Sequence, residues 1–310
     1  MPEKDNNPKI PPTEDNSQPE GTDLTGLTSG YGALDKLTGG FQPSDIIVLA
    51  GRGKTSLALA LNLALNAALP DRRETDRQLP AAAVAFFSME MDQKQLLFRL
   101  LCLLGHFNIN DMRTGQTADE DIVPLTETID ILGKAQIFID DTPALRALEL
   151  RTKACRLQSQ LHSKGSELGL VVVDYLQLMR GSERRWDNRE QEINEIIHDL
   201  KSLAKELHLP VLILSQLNRD IEKSSSKDKK PNLSDLLESK TLKLDADLIA
   251  FIHWPETEKE SEEPEQGRDF WIELLIEKNR NGLTGCVPLY YKASSAAFLP
   301  TEALDSEGPQ

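Results

Sequence analysis

Residues 46–69 read IIVLAGRGKTSLALALNLALNAAL, and the fold follows from how this stretch changes character. Ile46–Ala50 is apolar without polar alternation, the pattern of a strand covered on both faces of a parallel sheet. Leu57–Leu69 is apolar nearly all round, as in a helix packed under such a sheet. Between them stand Gly51, Arg52, Gly53, Lys54, Thr55 and Ser56. A strand, a glycine turn and a helix N-terminus together make a phosphate cradle. Backbone N–H groups wrap the anion, a lysine supplies charge, and a threonine or serine hydroxyl faces Mg²⁺. The loop motif places four residues between its glycines; here Arg52 stands alone, three fewer. Counting back from Gly53, the first glycine's position falls on Val48, inside the strand. The context favours a phosphate site over a plain strand-to-helix turn, with residues 51–56 as its ligands.

Outward from this unit the same alternation continues. Further strands are expected at Ala83–Ser88, Ile137–Asp140, Leu170–Asp174, Val211–Leu214, Leu248–His253, Trp271–Ile276 and Cys286–Tyr291. The last two, joined through Lys278–Gly285, suit an antiparallel hairpin at a sheet edge. Gln191–His208 is the clearest helix: Ile193, Ile196, Ile197, Leu200, Leu203, Ala204 and Leu207 form one apolar stripe. Strands alternating with helices predict an α/β fold, a mostly parallel twisted sheet flanked by helices with antiparallel edge strands at the C-terminal end. Residues 1–22 hold a single isoleucine among Pro, Asn, Asp, Glu and Gln, and are expected to form a disordered leader. Residues 301–310 read as a similar tail, leaving 23–300 as the domain. Surface loops are expected at Gly181–Glu190, Asp220–Asn232 and Pro255–Asp269.

The 310 residues carry 35 basic and 50 acidic side chains, a net charge of −15. So acidic a chain can meet nucleic acid only through a local basic surface. Arg184, Arg185 and Arg189 in one loop, and Lys229 and Lys230 in another, are the candidates, because both loops leave the C-terminal ends of strands, where α/β sheets place ligands. Three isolated cysteines, Cys102, Cys155 and Cys286, fit reduced thiols and a cytoplasmic location better than a disulfide framework. No apolar run approaches the length of a membrane span.

Polar residues stand at several strand tips. Asp174 closes LVVVD, where a nucleotide-hydrolysing sheet holds its second Mg²⁺ carboxylate. Glu90 follows FFSM and could orient a water, or serve only as the first acid of the helix expected at Met91–Leu104. Gln216, in Ser215-Gln216-Leu217, could sense a terminal phosphate or cap a loop. Lys278 and Arg280, two apart on extended chain, point the same way and could reach a neighbour's phosphate, or form an ordinary basic turn.

Six segments together resemble the bacterial replicative DNA helicases of the DnaB family, in their RecA-like C-terminal motor domain. They are GLTSGYGALDKLTGGFQPSDIIVLAG (26–51), FFSMEM (86–91), FIDDTPALRALELR (138–151), LVVVDYLQLM (170–179), LILSQLNR (212–219) and EKNRNGLTG (277–285). VDYLQLM and KNRNGLTG speak against a recombination or clock-type ATPase. The resemblance implies a RecA-like P-loop NTPase that uses ATP and Mg²⁺ to unwind duplex DNA 5′ to 3′ during replication, as a hexameric ring around single-stranded DNA. It implies Lys54 as the P-loop lysine, Thr55 and Asp174 on Mg²⁺, Glu90 as catalytic base, Gln216 as phosphate sensor, and Lys278 and Arg280 as cations acting in trans. Glu238 and Lys240 fall in the family's DNA-gripping loop, which there reads Arg-Glu-Ser-Gly and here Leu237-Glu238-Ser239-Lys240. The family's amino-terminal helical domain and linker helix are expected to be missing. With the shortened glycine loop, these departures keep a second possibility open: an impaired paralogue that co-assembles with a full-length helicase as an interaction or regulatory module, or a decaying copy.

Overall fold

The computed structural model describes residues 24–51, 53–69, 81–116, 121–182, 186, 188–217, 230–236, 240–255 and 269–301, with the backbone alone of 53 and 54. The expected leader, the tail beyond Thr301 and most of the three expected surface loops, with Arg184, Arg185 and Lys229, lie outside these residues, as does Glu238. Among the described residues nine strands form one sheet: β1 Ile46–Gly51, β2 Ala83–Ser88, β3 Ile137–Asp140, β4 Leu168–Asp174, β5 Val211–Gln216, β6 Leu248–His253, β7 Phe270–Asn279, β8 Gly285–Lys292 and β9 Ala297–Pro300. Their order is β3-β2-β4-β5-β1-β6-β7-β8-β9. The first six run parallel, and β7, β8 and β9 add antiparallel pairings.

Strand alternation divides the core in two. Ile47 and Leu49 of β1 face one apolar cluster with α1 (Gly32–Thr38), α2 (Gly53–Ala68) and α3 (Gln93–Gly105). Ile46, Val48 and Ala50 face the other, with α6 (Ala147–His162) and α7 (Arg189–Leu207). Both faces are covered, which is why β1, β2 and β5 show no polar alternation. All seven residues of the α7 stripe are buried. The remaining helices are α4 (Ile109–Thr114) and α5 (Ile122–Lys134) by the β2–β3 crossover, and α8 (Lys240–Asp245) before β6.

Two expectations are revised. β9 went unpredicted because four residues carry too little pattern; it is held by Phe298 N–H donating to Asn62 Oδ1 at 3.2 Å and by its pairing with β8. The β7 strand runs to Asn279, so Lys278 lies within a strand rather than a turn.

Candidate active site

β1 ends at Gly51 and α2 begins at Gly53; Arg52, between them in sequence, lies outside the described residues, as does the side chain of Lys54. Gly51 has no room for a side chain: a Cβ there would lie 2.6 Å from Ser56 Oγ and 3.1 Å from Ile252 Cβ. Thr55 and Ser56, in the first turn of α2, are buried. The parallel order β2-β4-β5-β1 brings the C-terminal tips of four strands side by side. Gln216 lies in register with Gly51, and Asp174 with Ser88. Thr55, Gln216, Asp174 and Glu90, distant in sequence, therefore share one edge of the sheet.

Asp174 is 2% exposed, and the hydrogen bond its carboxylate accepts is from Ser88 Oγ at 3.2 Å. Burial, and then the negative charge of Glu90, push its pKa up to about 7. A buried carboxylate beside another carboxylate, with a hydroxyl as its partner, favours a cation. The donor set of hydroxyls and carboxylate is the hard-oxygen chemistry that Mg²⁺ prefers. Among the described residues no three acids, histidines or cysteines cluster as a metal cage.

Glu90 is exposed. The helix-starting role open to it falls instead to Asp92, whose Oδ1 accepts from Gln95 N–H at 2.8 Å as the N-cap of α3. Two residues at this edge escaped the sequence reading. Ser88 Oγ joins Asp174 and also accepts from Met91 N–H at 3.1 Å. Gln177 Nε2, in the short 3-10 turn after β4, donates to Ser215 Oγ at 3.1 Å, while its Oε1 is buried without a partner among the described residues. Both stood in quoted motifs, but only the strand order reveals what they face.

Lys278 and Arg280 lie elsewhere. Lys278 is opposite Ile249 in the antiparallel β6–β7 pair, at the beginning of the parallel strands. Ile249 is in register with Val48, three steps of β1 or about 10 Å from Gly51, whereas Arg280 N–H pairs with Asp247 O beside Ile46, five steps or about 17 Å away. Lys278 Nζ donates to Lys243 O at 2.7 Å and Leu244 O at 3.0 Å. Arg280 Nη1 donates to Asp247 Oδ1 at 2.9 Å, and its Nη2 to Leu244 O. The two side chains point the same way, onto the C-terminal carbonyls of α8, a site suited to cations. Burial, and then Arg280, lower the pKa of Lys278.

The basic residues proposed for nucleic acid differ in availability. Arg189 begins α7 and donates to Gln177 O and Met179 O, each at 3.0 Å, while pairing with Glu192. Its guanidinium fastens the turn after β4. Lys230 Nζ pairs with Glu273 Oε2 at 2.8 Å on β7. Lys240 is exposed at the start of α8. The structure does not bring these three together.

Residues 26–300 match the model of the DnaB-like helicase C-terminal domain family. The chain is 42% identical over 284 residues to the replicative DNA helicase DnaC of Bacillus subtilis (strain 168), covering 90% of this chain and 58% of that protein. It is 41% identical over 283 residues to the replicative DNA helicase DnaB of Geobacillus stearothermophilus, with the same coverages. The chain thus spans 58% of the length of these two relatives. Among solved structures, the ATPase domain of G40P superposes with a TM-score of 0.77 at 30% identity, covering 90% of this chain and 92% of that one. A DnaB-like replicative helicase, solved in a study of its interactions with primase, gives 0.77 at 31% identity, covering 90% and 62%.

Proposed function

The chain belongs to the DnaB-like helicase C-terminal domain family, and from that premise we propose that it is the ATP-driven motor of a replicative DNA helicase, moving 5′ to 3′ on single-stranded DNA as part of a hexameric ring in the cytoplasm. The observation that carries this reading is the division of its polar residues between two edges of one sheet. Thr55, Gln216, Asp174 and Glu90 stand at the C-terminal edge; Lys278 and Arg280 stand about 10 and 17 Å back along the strands, with their side chains on the carbonyls of α8. Within one chain both cations are turned onto α8 and Asp247, away from the first set. Two copies placed edge to edge could supply both, and a ring repeats that contact until it closes.

On this reading residues 51–56 hold the phosphates of ATP, with Lys54 as the counter-charge and Thr55 and Asp174 as the Mg²⁺ ligands. When bound, Mg²⁺ supplies the positive charge that phosphate oxygens and Asp174 both need. Glu90, exposed and outside the helix cap, accepts a proton from the attacking water. Gln216 donates its amide N–H to the terminal phosphate, and Ser88 holds Asp174 in place. Arg280 and Lys278 of a neighbouring copy stabilise the charge that develops on the transferred phosphoryl group. Arg184, Arg185, Lys229, Glu238 and Lys240 meet the DNA backbone, with Arg189 bracing the first of these loops. The 23–300 domain boundaries are part of the same proposal.

The single residue between Gly51 and Gly53 favours a second reading. A chain that holds nucleotide poorly could still lend Lys278 and Arg280 to a full-length helicase with which it co-assembles. Steady-state ATP turnover with Mg²⁺ and oligothymidine separates the two. The motor reading expects DNA-stimulated turnover that Glu90→Gln abolishes. No turnover and no nucleotide binding at millimolar ATP would leave only the co-assembling module.

A further inference from the structure

The turn that carries Glu90 is gripped from both neighbouring strands. Ser88, the last residue of β2, is in register with Asp174 of β4, and Phe87 with Asp140 of β3. On the β4 side Met89 N–H donates to the Asp174 carbonyl at 2.8 Å, and Met91 N–H to Ser88 Oγ at 3.1 Å. On the β3 side Asp141 Oδ2 accepts Gln93 N–H at 2.9 Å. Gln93 opens α3, whose own N-cap, Asp92, takes Gln95 N–H. The N-cap satisfies one orphan donor of the helix start; the second carboxylate comes from another strand, and so fixes where that start lies. Asp141 is itself held on either side. Lys153 Nζ, on α6, donates to Asp140 Oδ2 at 2.6 Å and to Thr142 Oγ1 at 2.7 Å, and Thr142 N–H donates to Asp140 Oδ1 at 3.1 Å. Ala144, two residues beyond Thr142, has φ +50°, a conformation that residues other than glycine rarely adopt, so the turn keeps its shape at a backbone cost.

We propose that Asp141 is a positioning residue for Glu90, and that Lys153 braces it from α6 through Asp140 and Thr142. This rests on the motor reading above, in which Glu90 takes a proton from the attacking water. A base must lie within hydrogen-bond reach of the proton it takes, and a misplacement of about 1 Å costs roughly a hundredfold in rate. Glu90 is exposed, so the backbone of residues 88–93, rather than packing around the side chain, decides where its carboxylate stands. Releasing Gln93 N–H frees the β3 side of that backbone, while the β4 side, which carries Asp174, stays fixed. Nucleotide and Mg²⁺ are then held as before, and the base alone is misplaced. Asp141 works as a hydrogen-bond acceptor, so an amide oxygen in its place serves as well.

The test is steady-state ATP turnover by the full chain with Mg²⁺ and oligothymidine, beside equilibrium binding of a fluorescent, non-hydrolysable ATP analogue. Asp141→Ala should lower kcat about tenfold or more and leave the analogue's affinity within about twofold of wild type. Asp141→Asn keeps an acceptor for Gln93 N–H and should retain most of the wild-type kcat. A loss in Asp141→Asn equal to that in Asp141→Ala would mean that the carboxylate acts by its charge, and overturns the proposal. Lys153→Met loosens the same turn without touching Asp141, so it decides the matter where Asp141→Ala does not fold; its kcat should fall in the same direction by a smaller factor. Asn108→Ala removes the N-cap of α4 and controls for lost stability; its kcat should match wild type, and a fall as large as that in Asp141→Ala overturns the proposal. Wild-type kcat in Asp141→Ala, in a chain whose turnover Glu90→Gln abolishes, overturns the proposal and leaves the motor reading standing. Turnover that survives Glu90→Gln, or a wild-type chain with none, overturns the motor reading's role for Glu90 and the positioning role with it.

Discussion

Inserting three small residues between Arg52 and Gly53 should strengthen ATP binding at least tenfold. The structure supplies the reason and the size. β1 is held in the sheet through Gly51, which is in register with Gln216 on one side, while Ala50 is in register with Phe251 on the other. Three missing residues correspond to about 10 Å of extended chain. The native chain could recover that length only by peeling Leu49, Ala50 and Gly51 out of the sheet. Leu49 and Ala50 are 2% and 0% exposed; exposing them would cost roughly 2 and 1 kcal/mol. At least two ladder hydrogen bonds would go too, at about 1 kcal/mol each. Together this opposes a full-length phosphate wrap by roughly 5 kcal/mol. An insertion removes that opposition, and recovering about 1.4 kcal/mol of it already gives a factor of ten. Isothermal titration with ATP and Mg²⁺ on both chains measures the change directly. Equal affinities would mean that the short loop already holds phosphate with β1 intact, and the reasoning would fail.

Three further outcomes are expected. Mixing Arg280→Ala chains with Lys54→Ala chains should restore part of the ATP turnover that each lacks alone, because a mixed interface pairs an intact loop with an intact cation pair; no recovery at any mixing ratio rules out action in trans. Binding to labelled oligothymidine should tighten in Leu237→Arg with Lys240→Gly, and the slope of log affinity against log salt should steepen by about 0.7 per added phosphate contact; identical slopes refute a backbone grip at this loop. Burial, and then the neighbouring Asp247, raise the pKa of Asp45 to about 6. The folded chain therefore holds more protons than the unfolded chain between pH 4 and 6, and stability falls as pH rises through that window. Asp45→Asn should stabilise the chain above pH 6 and change little near pH 4. The raised pKa corresponds to about 3 kcal/mol, which solvent screening of the half-buried carboxyl reduces to about 1 kcal/mol; equal shifts in melting temperature at pH 4 and pH 8 would contradict this.

Much of this protein was legible in its sequence because the signals are local. Ile46–Ala50 and Leu170–Asp174 announce buried strands by lacking alternation, and Ile193 to Leu207 announce a helix by period. The glycine-lysine-threonine turn could be marked as a candidate phosphate site because its parts are contiguous. The tips of β2, β4 and β5 could each be marked as candidates for the same reason. Their assembly could not be read, because adjacency in a sheet is set by strand order, and β2-β4-β5-β1 follows from how the crossovers pack rather than from any run of residues. Only that order sets Ser88 beside Asp174, and burial there, then the charge of Glu90, lifts the carboxyl's pKa. Asp92, not Glu90, caps α3, a choice made by backbone geometry two residues further on. Arg189 and Lys230 looked alike as cations in basic loops, yet Arg189 fastens the turn after β4 and Lys230 pairs with Glu273 on β7. Asp247 gave no signal at all: an acid before a strand is commonplace. Its weight comes from Ile46, Lys201 and Arg280 converging on one buried carboxylate from three distant parts of the chain. Sequence determines which chemistries are present and where each lies along the chain; packing decides which of them meet, because contact and burial, not proximity in sequence, set charge and reach.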